Sequence, residues 1–352
     1  MPPVFLSVGR ALCWGVCAWA VLWSAPARAQ AQLGAQVRTS AEWDDNALRA
    51  VSDEAVEDGL VRVFAGILGQ WRLDPNEIIS LSVKQGGKLF ATQTDANTLL
   101  TQINTTYAVR PWQGWSLRLE ASMKDRTERA SLQDYNRGDV GVGAGWRLGW
   151  LELGAQAGWR YFAFKPDAST GSHGPDWGAS ARVSGKRWAL TAGYQGVGRR
   201  FDVQSFAKQE QTLVRGEDMR RDVLHVASLQ GSWRGALVLG VSGSYTLNRS
   251  NSYGQNFEQV RGEVTLTAPL FWSLYGSLRV ELLQTTFDDP IFVDSVFQID
   301  EDNRNTVVAA LAWPFAEHWD LTARYSLYTQ ALGSQTDYRR QLFSLALGWS
   351  LE

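Results

Sequence analysis

The chain has 352 residues with 34 basic and 36 acidic side chains, a near balance that does not fit a nucleic-acid binder. Its only cysteines, Cys13 and Cys17, lie in an N-terminal segment read below as removed, which excludes disulfide, thiolate and cysteine–zinc chemistry from the remainder. Beyond that segment no stretch reaches the roughly 20 apolar residues of a spanning helix, so this chain could cross a membrane only with strands.

Residues 1–29 have the layout of a secretory signal. Arg10 supplies an early positive charge, Ala11 to Trp23 form an apolar core, and Ala27-Arg28-Ala29 offers a small-x-small cleavage site. The expected mature chain, 30–352, loses Arg10 and Arg28 and no acid, so the 34 basic groups fall to 32 against 36 acids, a net charge of about −4. No Pro/Ser-rich linker divides it, and one domain is expected.

From there the dominant signal is period-two alternation, sustained for about ten residues at a time. The first segment sets Leu33, Ala35, Val37, Thr39, Ala41 and Trp43 on one face against Gly34, Gln36, Arg38, Ser40 and Glu42 on the other. In chain order the predicted strands cover 32–43, 60–73, 78–86, 98–110, 116–125, 138–148, 151–162, 176–185, 187–197, 222–234, 236–248, 257–268, 273–286, 304–313, 320–329 and 338–351. That is about sixteen, within a range of fourteen to eighteen. In the fifth, Leu117, Leu119, Ala121 and Met123 oppose Arg118, Glu120, Ser122 and Lys124, so a slip of one residue would exchange greasy and charged faces.

The connections alternate in length. Short turns fall at Asp74–Glu77, Pro111–Gly114, Gly149-Trp150, Gly185-Lys186 and Pro314–Glu317, whereas 44–59, 198–221 and 287–303 are long and polar. The predicted fold is therefore a transmembrane antiparallel up-and-down β-barrel, with tight turns at one rim and loops at the other. Trp71, Trp112, Trp115, Trp146, Trp150, Trp188, Trp233, Trp272, Trp313, Trp319 and Trp349 sit at or beside the short turns, where an amphipathic indole girdle would mark an interface. Trp43, Trp159 and Trp177, with Tyr161, Tyr245 and Tyr325, fall nearer the other rim.

The second face is rich in Gly, Ser, Thr, Gln and Arg, as a wet internal wall would be, whereas a packed propeller would need bulk there. The register points Arg38, Arg62, Arg72, Lys84, Arg118, Glu120, Lys124, Arg147, Glu152, Arg160, Arg182, Arg261, Glu263, Arg279, Glu281 and Arg324 into the lumen, with Glu42 among them. Cations exceed anions on this face, so a mildly cationic wall is expected.

The opening strand followed by Glu42-Trp43-Asp44-Asp45-Asn46 resembles the start of the outer-membrane β-barrel porin-like family, the YDDN-type barrels encoded with exopolysaccharide systems. Tyr135-Asn136-Arg137, Asp302-Asn303-Arg304-Asn305 and Tyr338-Arg339-Arg340 precede strands in a manner similar to theirs. The chain departs from the usual aromatic last residue, ending Trp349-Ser350-Leu351-Glu352. The resemblance implies a porin in the outer membrane of a Gram-negative bacterium, either a passive conduit or a polysaccharide-export port. The alternative is a docking barrel of an envelope-spanning secretion or surface-motility complex.

Chemistry is thin. Of three histidines, His318 lies in a short turn, His173 in a Gly/Ser-rich loop, and His225, with Asp222, is the one conceivable start of a catalytic pair. Asp53-Glu54 with Glu57-Asp58, and Asp288-Asp289 through Asp300-Glu301-Asp302, lack the glycine-containing spacing of a calcium loop. No enzyme, cofactor or resident metal is expected. The expected partners are outer-membrane lipid and lipopolysaccharide, the barrel-assembly machinery, a polysaccharide or small anionic solute, and periplasmic or envelope-complex proteins.

Overall fold

Alternation commits each segment to a pleated ribbon with one apolar side, and a sheet built from such ribbons can hide its edges only by closing on itself. In a computed structural model, which describes residues 30–48, 54–130, 133–167, 170–210, 212–289, 304–329 and 338–351, this closure occurs. The signal segment, both cysteines and the acidic run 300–302 lie outside the described residues.

Sixteen strands follow in order: β1 Gln30–Asp44, β2 Asp58–Asp74, β3 Glu77–Phe90, β4 Thr98–Val109, β5 Trp115–Glu128, β6 Tyr135–Leu148, β7 Leu151–Phe164 and β8 Ser172–Ser184. Then come β9 Trp188–Gln209, β10 Thr212–Arg234, β11 Val238–Ser250, β12 Phe257–Pro269, β13 Tyr275–Phe287, β14 Asn305–Ala316, β15 Trp319–Thr329 and β16 Arg339–Leu351. Each pairs antiparallel with its sequence neighbours, and β1 pairs with β16 from Ala35↔Leu351 to Asp44↔Leu342. The count and the up-and-down order agree with the alternation.

Pairing registers keep the two faces separate all round. Trp43 opposes Phe343, Tyr107 opposes Ile79 and Leu119, and Trp233 opposes Trp188, so bulky apolar residues form the outward belt. Many stay exposed, Leu33, Ile67, Leu119, Val140 and Leu345 among them. For a soluble sheet this would be an aggregation surface, and for a membrane barrel it is the lipid face.

Three expectations need correction. Residues 198–221 are not a loop: β9 runs on to Gln209 and β10 begins at Thr212, paired beyond the other strands with register shifts around Met219. Their alternation carries charge on both faces, which conceals it from a search for one greasy side. Pro314 lies in β14, next to a bulge that absorbs its missing N–H. Finally, the inner face is not polar throughout. At the loop rim it carries Leu60 and Phe90 packed with Ala47, and Val197, Leu224 and Phe257 packed with Val226 and Phe287.

Candidate functional site: the inner wall

Side chains opposite the greasy belt converge. Polar groups of β5 to β10, including Arg118, Arg160, Arg182, Gln156, Gln195 and Gln230, line a single recess of about 720 Å³, which places them on the concave side. Its floor is built from Gly141, Gly143, Gly145, Gly154, Gly178 and Gly193, whose missing side chains leave the space open.

Most predicted lumen charges meet as ion pairs. Arg38 reaches past β16 to Asp320 at 2.9 Å, Arg62 meets Glu42 at 2.7 Å, Arg118 meets Glu120 at 3.0 Å, and Arg147 meets Glu152 at 2.8 Å. Arg160 bridges Asp139 and Asp176, both at 2.6 Å. Glu263 and Glu281 face each other across β12 and β13, and Arg279 lies 2.9 and 2.7 Å from them while Arg261 meets Glu281 at 2.5 Å. These two carboxylates would repel without the intervening guanidinium groups.

The remaining five form no ion pair among the described residues: Arg72, Lys84, Lys124, Arg182 and Arg324. Lys124 lies 5.4 Å from the Tyr135 ring centre, and Arg324 donates to Ser326. Gln102 sits between Lys84 and Lys124, and Lys124 opposes Arg137, so cations gather on one row of the wall. Every inward acid that the sequence pointed to is held in an ion pair, while five of the twelve cations are not.

Three inner-wall pairs become less exposed from turn rim to loop rim. Arg147 and Glu152 are 67% and 44% exposed, Arg160 and Asp176 are 24% and 14%, and Arg340 and Asp44 are 1% and 0%. The apolar clusters cover part of the loop rim. Residues 251–256 cover more: Tyr253 N–H donates to Phe206 O, and Asn248 Nδ2 donates to Gln255 O. Nothing in the sequence pattern marked this covering, because Phe90 falls beyond the predicted third strand, 78–86, and Leu224 and Phe257 fall at or near the starts of theirs.

The motifs that carried the family resemblance turn out to join strands. Arg340 donates to both Asp44 carboxylate oxygens, Gln341 donates to Asp45, and Asn46 donates to Arg339 O, all across the β1–β16 seam. Arg304 lies over the Tyr338 ring at 3.3 Å. The conceivable catalytic pair is separated, since residues three apart on a strand face opposite ways. Asp222 turns inward to Arg220, and His225 turns outward, where its Nδ1 shares a 2.7 Å hydrogen bond with Tyr194 Oη. Among the described residues no three His, Cys, Asp or Glu side chains group as metal ligands.

The predicted girdle tryptophans gather at the turn rim. Trp115 opposes Trp146, Trp188 opposes Trp233, and Trp319 opposes Trp349, with Trp112, Trp150 and Trp272 projecting from the turns.

The sequence matches no protein-family model and no curated protein. In structure the chain is similar to the anion-selective porin of Comamonas acidovorans, with a TM-score of 0.53 at 8% identity, covering 92% of this chain and 100% of that one. It is also similar to OmpT, an outer-membrane protein of Vibrio cholerae, with a TM-score of 0.52 at 10% identity, covering 93% and 99%. At such identities the likeness establishes the fold: a sixteen-strand barrel of the outer-membrane porin type.

Proposed function

We propose that this protein is a porin-like conduit of a Gram-negative outer membrane whose lumen favours anionic solutes. The observation that carries the reading is the charge pattern of the predicted lumen residues, in which Glu42, Glu120, Glu152, Glu263 and Glu281 are held in ion pairs and Arg72, Lys84, Lys124, Arg182 and Arg324 are left over. Fixed cations along a pore lower the barrier for anions and raise it for cations. The anion-selective porin of the same fold is consistent with this, and the resemblance to exopolysaccharide-system barrels narrows the cargo to an acidic polysaccharide in export. The girdle, the greasy belt and the signal-like layout of residues 1–29 support the location. No catalytic role is part of the proposal.

Planar-bilayer recording of the purified barrel tests it. The reversal potential in a KCl gradient is expected to report anion preference, and glutamine at all five unpaired positions is expected to abolish that preference while the barrel still folds. Cation preference in the unsubstituted protein would refute the reading. Unchanged surface polysaccharide after gene deletion would remove the export role alone.

The buried loop rim favours a second reading, a barrel closed at rest that docks a larger envelope machine. Stoichiometric periplasmic partners after crosslinking, with no conductance, would support it over the conduit.

A further inference from the structure

One row of charge on the outward face has no ion-pair partner among the described residues. Arg200 of β9 is paired directly with Arg221 of β10 and, on its other side, with His173 of β8. Directly opposed side chains stand about 5 Å apart at Cβ, and like charges so placed repel. Neither arginine has a carboxylate within ion-pair distance among the described residues, although Asp202 lies two residues along the same face of β9. Arg249, diagonal to Arg221, is already neutralised by Asp288 at 3.0 Å.

Beneath the row the surface is aromatic. Trp159 stacks on His173 at 5.9 Å, and Trp177 lies where a side chain on Gly196 would stand. Tyr194 and His225 continue the same surface toward the greasy belt.

The depth of the row is set by strand geometry. Arg200 stands twelve residues from Trp188 along β9, and Arg221 stands twelve from Trp233 along β10. At about 3.4 Å per residue and a tilt of about 40°, that is roughly 31 Å along the barrel axis. The apolar band of such barrels is about 25 Å tall, so the row sits at the height of the lipid headgroups on the loop side.

We propose that Arg200, Arg221 and His173 bind the phosphate of an anionic lipid in the loop-side leaflet, with the lipid's apolar body against Trp177 and Tyr194. The inference rests on the membrane reading above. Guanidinium forks match phosphate oxygens bidentately, and one phosphate between two opposed arginines replaces their repulsion by two charge-assisted contacts.

The test uses the barrel refolded into phosphatidylethanolamine nanodiscs with diphosphoryl lipid A titrated in, and native mass spectrometry of the lipid retained after detergent release. The unsubstituted protein is expected to retain lipid A, Arg200→Ala/Arg221→Ala to bind about tenfold more weakly, and the double lysine variant to fall between, because charge remains while the fork is lost. Inorganic phosphate at millimolar concentration is expected not to displace the lipid. Equal retention by the double alanine variant overturns the proposal, as does displacement by free phosphate, which would make the row a solute site. If the variants insert and conduct normally while lipid retention does not change, this inference alone fails. If the unsubstituted barrel does not enter the bilayer, the membrane reading fails with it.

Discussion

Arg340 and Asp44 form an ion pair that is almost fully buried, with Tyr328 5.7 Å from the guanidinium. Removing one partner strands the other charge, so Arg340→Ala is expected to cost about 3–5 kcal/mol in urea unfolding from lipid vesicles, and pairing it with Asp44→Leu should recover part of the loss. Asp58, at the loop rim outside the greasy belt, titrates low. Burial alone would push its carboxyl up, but the backbone N–H groups of Gln93 and Thr92 donate to it and hold it below the ordinary value. A depressed carboxylate adds stability above its unfolded pKa of about 3.9, and that stability is lost as pH falls through the lower folded value. Stability of the Asp58→Asn variant should therefore converge on that of the unsubstituted protein in strong acid and lie below it at pH 7. At the opposite rim, Trp272 and Ser273 adopt φ values of 51° and 63° in the turn after β12. Such angles cost a residue with a side chain about 1 kcal/mol, so Ser273→Gly should raise the unfolding midpoint.

The β9–β10 ribbon shows how an element can be hidden from pattern reading. Beyond Arg200 and Arg221 its strands alternate still, but neither side meets lipid, so charges occupy both and the residues read as a polar loop. Its hydrogen bonds run mainly within the hairpin, from Arg215↔Phe206 to Thr212↔Gln209. The lower part, paired with β8 and β11, does not depend on it. Deleting 203–218 with a two-residue turn in their place should leave heat-modifiable gel migration unchanged. The same deletion should make 251–256 sensitive to protease, since Phe206 holds both Tyr253 and Ser252. Altered migration would mean that the ribbon takes part in closing the barrel.

At the scale of the whole molecule, a closed sheet forces sixteen amphipathic ribbons to share one inside. Much of this was legible in the residues: Leu117 to Lys124 declare two faces, Gly149-Trp150 declares a turn, and the parity of the strand places each charge inward or outward. Alternation also placed the strand count near sixteen and set the strand order, because period two is a local property of the backbone and each tight turn leaves the next strand only one neighbour. Partnership two residues along one strand face was legible, as for Arg118 with Glu120 and Arg279 with Glu281, but partnership between distant strands was not. Nothing local tells Arg38 that it will reach Asp320, or Asp44 that Arg340 will cover it, since those residues lie nearly 300 apart and meet only when β1 closes on β16. Tertiary structure alone therefore decided which cations are neutralised, which rim is covered and which arginines face one another. Coulomb energy depends on distance in space, and strand pairing sets that distance.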